Sequence, residues 1–406
     1  MIEYREALDE VLSRAKTLGT VQVFLNDAVW QVLAEDIFAK EDIPFSDNSA
    51  MDGFAVRFDD IKQASPEKPA VLKLKGEVPA GKPFDGEIGK GEAVSIFTGG
   101  IVPAGADTVV ELEVTEVRDG NVYIFNSREP GANIRKRGED VRSGDLLFKR
   151  GTVITPAVCG VLASVGKPAV YVYRKPVVSI ISTGTELIDI AEPLYPGAVR
   201  NSNTYLLYAL LSNLPVEVFN FGVIADEPEN VREAIEKALD VSDIILTTGG
   251  VSVGDYDLVK VTVEELGAKR VFWRVAQKPG KPLAFYELNR RVIFGLPGNP
   301  AAVEICFLEY VRPFILKTLG YDRYLPIRLS AKLKGGLKKK KGRLNFIRVI
   351  LKEENGELVA EKAGAQGSGV LSTSARANAV ALIPAEAEEV LDGEKVEVHY
   401  FENRGW

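Results

Sequence analysis

The chain has 406 residues, of which 46% are hydrophobic and 26% charged, with a formal net charge of -7. That length exceeds one ordinary core and predicts two to four domains. The acidic balance argues against a general nucleic-acid binder, and no apolar run is long enough to span a bilayer. Cys159 and Cys306 are too few and too far apart for a zinc site or a disulfide framework, which suits a reducing, cytoplasmic setting. His399 is the single histidine, so catalysis must draw on Asp, Glu, Lys, Arg, hydroxyls and backbone. Few Cys, Met and His beside many Lys and Glu fits a thermophilic source.

The opening "MIEYREALDEVLSRAKTLG" is an amphipathic helix with charges throughout, unlike a signal peptide. Residues 1 to about 45 read as helix, ending in the extended "DIFAKEDIPF". Next comes "DNSAMDGFAV" (47–56), where Asp47 and Asp52 flank small residues beside an apolar "GFAV". "GFAV" is expected to be buried, and Asp47 and Asn48 to fix a turn through side-chain to backbone bonds. On residue physics alone, Asp52 is either another turn-former or a carboxylate aimed at a site.

Residues 71–130 alternate in the β manner, with Gly and Pro at the turns. Thr155 and Pro156 then mark a helix start as N-cap and first helical residue. From 176 to 325 apolar strand runs alternate with glycine loops and helices, the pattern of a parallel doubly wound sheet. Ligands of such sheets sit beyond the carboxyl ends of the strands, where four glycine- or acid-bearing loops fall. Residues 326–402 turn β-rich again, with Asn355-Gly356 as a hairpin signal.

The loop "TTGGVSVGDYD" (247–257) carries the most chemistry. Consecutive glycines after a buried strand let N–H groups converge into a nest for phosphate oxygens. Thr247, Thr248 and Ser252 add hydroxyls beside Gly249 and Gly250, and Asp255 and Asp257 suit a bridging divalent cation. A tight turn with solvated acids fits the same residues. "STGTEL" (182–187) repeats the design with Ser182, Thr183, Gly184 and the acid Glu186. Asp226 fits a helix cap, with Glu229 completing a capping box and Pro228 in the first turn, and a ligand role is compatible.

In "RVAQKPGKPLAF" (274–285), prolines stiffen a turn that carries Arg274, Lys278 and Lys281, basic groups suited to an oxyanion. "LPGNPAA" (296–302), with Pro297 and Pro300, opens a long helix whose N-terminus attracts anions. "FTGG" (97–100) and "RKRGED" (135–140) are weak signals alone, and "KKKKGR" (338–343) reads as a solvated hairpin tip. Ser368, Ser372 and Arg376, in a glycine-rich stretch, either border a site or belong to a plain loop and helix.

With "DNSAMDGFAV", "FTGG", "RGEDV", "STGTEL", "TTGGVSVGDYD", "KPGKP" and "LPGNP" in that order, the chain resembles the MoeA family of molybdopterin molybdenumtransferases, which includes the gephyrin E domain. The resemblance implies an α/β multidomain protein in four parts. A discontinuous, elongated helical domain I covers 1–45 and 141–174, and a β-rich domain II is inserted over 46–140. Domain III, 175–325, is the doubly wound molybdopterin-binding unit, and domain IV, 326–406, is a C-terminal β-barrel. It also implies a homodimer and functional residues at Asp52, Thr98, Asp140, Glu186, Asp226 and Asp257, with Lys278, Pro297 and Pro300 matching further family positions. Arg274 stands where relatives have lysine, so a fork replaces a point charge.

The implied reaction inserts molybdate into adenylylated molybdopterin with release of AMP and a requirement for Mg²⁺ or another divalent cation. Glu186, Asp226, Asp255 and Asp257 are the candidate metal ligands. Tungstate is an equal alternative to molybdate, and an adenylyltransferase that supplies the substrate is a candidate contact. Two rivals stand beside this reading: an adenylyltransferase, which shares the domain-III type, and a gephyrin-like scaffold without catalysis.

Overall fold

The computed structural model describes residues 1–79, 81–249 and 258–401. They fall into two compact units. One comprises residues 1–34, 151–156 and 169–406, and the other residues 35–150 and 157–168.

In the first unit a six-stranded sheet carries the centre. The strands Glu217–Ile224, Val177–Thr183, Ile244–Thr248 and Arg291–Leu296 lie side by side and parallel. Successive side chains alternate faces. Ile180 and Leu246 therefore pack with the helix Ser202–Leu211 and the helical run that starts at Pro300. Ile181 and Ile245 pack instead with Val231, Ile235 and Val259 of the helices Pro228–Val241 and Leu258–Glu265. Burying each such side chain contributes about 1.5–3 kcal/mol.

The expected parallel sheet is modified at one edge. Ala284–Leu288 and Lys269–Trp273 add antiparallel, because Asn289 and Arg290 turn with φ of 48° and 71° and send the chain straight back. A two-residue turn with both central residues in the left-handed region is the tight hairpin type, which leaves no room for a helical crossover.

The N-terminal segment is shorter in helix than the sequence suggests. The helix spans only Tyr4–Ser13, where Tyr4, Ala7, Leu8, Val11 and Leu12 give one buried stripe. Gly19, at φ 94°, then redirects the chain, and Thr20–Phe24 pairs antiparallel with Ala169–Tyr173. Alternating Thr, Val and Phe fit a pleated surface better than a helix. Further on, Pro156–Ser164 is helical as Thr155-Pro156 predicts.

The C-terminal strands Leu344–Glu354, Glu357–Lys362, Ile327–Lys334, Lys395–Tyr400 and Ala379–Ile383 pair in a ring, since the last also pairs with the first. This closed five-stranded barrel removes its own sheet edges. Asn355 and Gly356 form the predicted hairpin turn, with Glu354 opposite Glu357. The lysine-rich tip is not fully solvated. Lys339 is half-buried and donates to the carbonyls of Lys340, Arg343 and Ala385.

The second unit is built on a sheet ordered Thr108–Glu111, Gly53–Val56, Glu92–Ile96, Ala70–Glu77, Asn121–Ile124, Thr115–Arg118. "GFAV" is strand Gly53–Val56, flanked on both sides, and all four residues are buried. A Cβ on Gly53 would meet the Val110 carbonyl oxygen at 2.0 Å, so only glycine allows this strand approach.

Candidate active site

The four parallel strands end in register. Thr183 lies beside Ile224, Ser182 beside Thr248, and Thr248 beside Leu296. The loops that follow therefore leave one edge of the sheet in a row. Ser182, Thr183, Thr247 and Thr248 are each at most 1% exposed, and buried hydroxyls require partners. Ser182 Oγ and Thr204 Oγ1 are 2.7 Å apart, and Thr248 Oγ1 donates to the Pro297 carbonyl at 3.3 Å. Asn203 Nδ2 donates to Thr248 Oγ1 at 2.8 Å and to the Gly298 carbonyl at 2.7 Å. Asn201 caps the same helix, accepting from the Thr204 N–H at 3.2 Å. The first turn of helix Ser202–Leu211 thus ties together three of the loops.

Sequence reasoning missed Asn201 and Asn203. An Asn before an apolar helical run is a cap signature that would have found Asn201. No local signal marks Asn203.

Gly249 shows why the second loop needs glycine. Its φ is 87°, and a Cβ there would sit 2.0 Å from the Thr183 carbonyl oxygen. The two candidate phosphate loops are therefore in backbone contact. Gly250, Ser252, Asp255 and Asp257 lie outside the described residues. Gly184 has φ 152°, and Glu186 folds its carboxylate back to 2.9 Å from the place a Gly184 Cβ would occupy.

Asp226 is exposed and is not the helix cap expected of it. The N-cap is Glu227, with Pro228 first in the helix and no side-chain capping bond. Glu229 thus sits one place too early for a capping box, and Glu227 accepts instead from Asn230 Nδ2 at 2.8 Å. Asn299 and Pro300 do open the helix after the proline loop. The Ala301 N–H there donates to the Ser368 carbonyl at 3.1 Å, so Ser368 meets this helix start through its backbone.

The turn with the basic residues is fixed from behind. Gln277 is fully buried and accepts from Tyr310 Oη, while Gln277–Lys278 pairs with Leu344–Asn345 of the barrel. Lys278 is exposed and Lys281 half-buried. Arg274 belongs to the same turn, its N–H donating to the Leu283 carbonyl at 3.0 Å, and its side chain stacks on an aromatic ring. Its guanidinium carbon lies 3.9 Å from the ring centre of Trp273, which also carries Lys260 Nζ at 4.3 Å. Such stacking commits much of the cation to the ring.

Ser372 and Arg376 are exposed on the short helix Leu371–Arg376. The glycine-rich stretch before it is organised by Arg348, which sequence reasoning also missed. Only 2% exposed, Arg348 donates to the carbonyls of Ala365 at 3.2 Å, Gly367 at 2.9 Å and Val370 at 2.5 Å.

In the second unit, Asp52 Oδ1 accepts from both the N–H and the hydroxyl of Thr98, each at 2.7 Å. Those bonds hold its carboxyl below the usual range, the backbone N–H first and the hydroxyl second. Asp47 does not serve its own turn. It accepts from Arg137 N at 2.8 Å and Lys136 Nζ at 2.9 Å, so "DNSAMD" is tied to "RKRGED". Asp140 in that turn is exposed, its N–H donating to the Ile43 carbonyl at 3.0 Å.

The donor set at the sheet edge is carboxylate, hydroxyl and carbonyl oxygen, which suits a hard divalent cation. Among the described residues no three potential ligands gather for a metal ion. Glu186 and Asp226, leaving adjacent strand ends, would have to be joined by acids of the segment beyond Gly249.

A doubly wound sheet whose strand ends present buried hydroxyls, a glycine turn and a helix N-terminus defines a binding unit for an anionic, phosphate-bearing ligand. Residues 2–166 match the MoeA N-terminal region (domain I and II), 179–317 a probable molybdopterin binding domain, and 330–401 the MoeA C-terminal region (domain IV). A molybdopterin molybdenumtransferase of Bacillus subtilis is 37% identical over 397 residues, 97% of this chain and 92% of that protein. One of Haemophilus influenzae is 37% identical over 93% of each chain. The crystal structure of a molybdopterin biosynthesis MoeA protein of Pyrococcus horikoshii superimposes with a TM-score of 0.83 at 32% identity, covering 100% of both chains. The chain belongs to the MoeA family.

Proposed function

We propose that the protein is a molybdopterin molybdenumtransferase of molybdenum cofactor biosynthesis, inserting molybdate, or tungstate, into adenylylated molybdopterin with release of AMP. The observation that carries this reading is the in-register row of strand ends. It sets two hydroxyl-bearing loops, Ser182–Gly184 and Thr247–Gly249, beside the Pro297–Pro300 helix start. The loops bind the pterin phosphate and the nucleotide linkage, and Lys278 and Lys281 attract the oxyanion substrate. A bound Mg²⁺, held by Glu186, Asp226, Asp255 and Asp257, would neutralise charge on the phosphate linkage. The substrate's own dithiolene supplies soft ligands for molybdenum, so the chain needs no thiolate cluster.

The protein acts as a homodimer in which Asp52, Thr98 and Asp140 complete the active site, and it works in the cytoplasm, receiving substrate from an adenylyltransferase. No helix of the described residues is long and apolar enough to cross a membrane. Adenylyltransferase activity of its own is disfavoured, since the match extends over the flanking regions as well as the pterin-binding unit.

The test is an assay of purified protein with adenylylated molybdopterin and molybdate, beside one with molybdopterin and ATP. Consumption of the adenylylated pterin with release of AMP supports the reading. Its synthesis from ATP overturns it. Lys281→Ala should raise the molybdate concentration for half-maximal rate more than it weakens pterin binding; the reverse assigns Lys281 to the pterin phosphate.

A further inference from the structure

We propose that Asn203 positions the substrate and reads its pterin ring: its carboxamide nitrogen clamps two ligand loops, and its oxygen accepts a hydrogen bond from a pterin N–H. This rests on the reading above and deepens it. Asn203 is 9% exposed, in the first turn of helix Ser202–Leu211. Its Nδ2 bonds Thr248 Oγ1 at 2.8 Å and the Gly298 carbonyl at 2.7 Å. A carbonyl can only accept, so the bond to Gly298 fixes which end of the amide is nitrogen. Both N–H donors are then used.

The remaining atom, Asn203 Oδ1, is buried and has no partner among the described residues, and the same holds for Thr183 Oγ1 at the adjoining strand end. A buried acceptor without a donor is costly and marks a place that a ligand or water fills. Oδ1 cannot be satisfied by phosphate, molybdate or a carboxylate, because these ionised groups are themselves acceptors. A pterin ring carries amide and amino N–H groups and can satisfy it. Asn203 therefore discriminates the ring end of the substrate, while the loops it clamps hold the phosphate end.

The experiment compares metal-free molybdopterin, followed by its fluorescence, with inorganic pyrophosphate as a phosphate-only probe, on wild-type protein and Asn203→Ala. A chelator is present throughout, so that no effect passes through a bound cation. The expected result is a loss of about tenfold or more in molybdopterin affinity, clearly exceeding the smaller loss in pyrophosphate affinity, which reports the clamp alone. Equal losses on both probes would reduce Asn203 to a clamp and overturn its reading of the ring, as would no loss on either. Failure of the wild-type protein itself to bind molybdopterin would sink the functional reading first. Should Asn203→Ala not fold by circular dichroism, Asn203→Ser carries the same comparison, since its shorter side chain cannot reach the same donor.

Discussion

His399 and Glu309 form a fully buried pair: Nδ1 of the histidine lies 3.0 Å from both carboxylate oxygens, with exposures of 1% and 0%. Tyr4 Oη donates to the same carboxylate at 2.6 Å, and His399 Nε2 lies 3.1 Å from Glu397. The N-terminal helix, the helical run after Pro300 and the last barrel strand thus meet on one carboxylate. Burial, the largest influence, pushes the imidazole pKa down, but the hydrogen bonds and charges of Glu309 and then Glu397 leave it raised overall.

A raised folded pKa stabilises the fold fully below the unfolded value of about 6.5 and loses that contribution as pH rises through the folded value. Denaturant midpoints should therefore fall from slightly acid to alkaline pH. Glu309→Gln should lower stability by on the order of 3 kcal/mol, because it removes the buried counter-charge and leaves the imidazole only the partly exposed Glu397, and should flatten this pH dependence. An unchanged slope in the variant would show that another group titrates.

Thr98→Val removes the hydroxyl bond to Asp52 and keeps the backbone one. Because that carboxyl is held low in the folded state, its stabilising contribution is present above the unfolded pKa and lost as pH falls through the folded one. The variant should move the Asp52 pKa upward, towards the ordinary aspartate value, read directly by carboxyl-carbon NMR titration. No movement would assign the depression to the Thr98 N–H alone.

Gly249→Ala places a methyl group against the Thr183 carbonyl and forces a side chain into the left-handed region. The expected cost is on the order of 2–4 kcal/mol, from overpacking and backbone strain together. Pterin affinity should fall more steeply than stability, since the strain lies between the two candidate phosphate loops. A thermal melt and a fluorescence titration on one preparation separate the two, and a variant as stable as the parent would show that the loops can part.

Subunit sharing is tested with Asp52→Asn and Asp257→Asn, each of which is expected to be inactive alone. Reassembled together in equal amounts, they should recover up to about a quarter of parental activity if each site takes one acid from each chain of a homodimer. Half the dimers are then mixed, and each mixed dimer has one intact site. Zero recovery, with mixed dimers verified by mass spectrometry, would place both acids in the same chain's site.

Period and punctuation alone located most elements. Strand-then-glycine runs such as "SDIILTTGG" and the Thr155-Pro156, Pro300 and Asn355-Gly356 signals depend on residues within a few positions, which is the range of backbone sterics and capping bonds. The same locality made Gly249 and "GFAV" legible as a loop glycine and a buried segment. It failed where the deciding partner is distant in the chain. Thr20–Phe24 becomes a strand because Ala169–Tyr173 lies beside it, and Asp47 serves Lys136 and Arg137 rather than its own turn. Asn203 gained its role only when Thr248 and Gly298 were brought to it, and His399 only when Glu309 was. The sequence by itself determined which chemistry the chain possesses: hydroxyls, acids, lysines and glycine turns, with no thiolate cluster. Tertiary structure alone decided which of these groups share an edge, because hydrogen bonds and ion pairs act over a few ångströms of space, not of sequence.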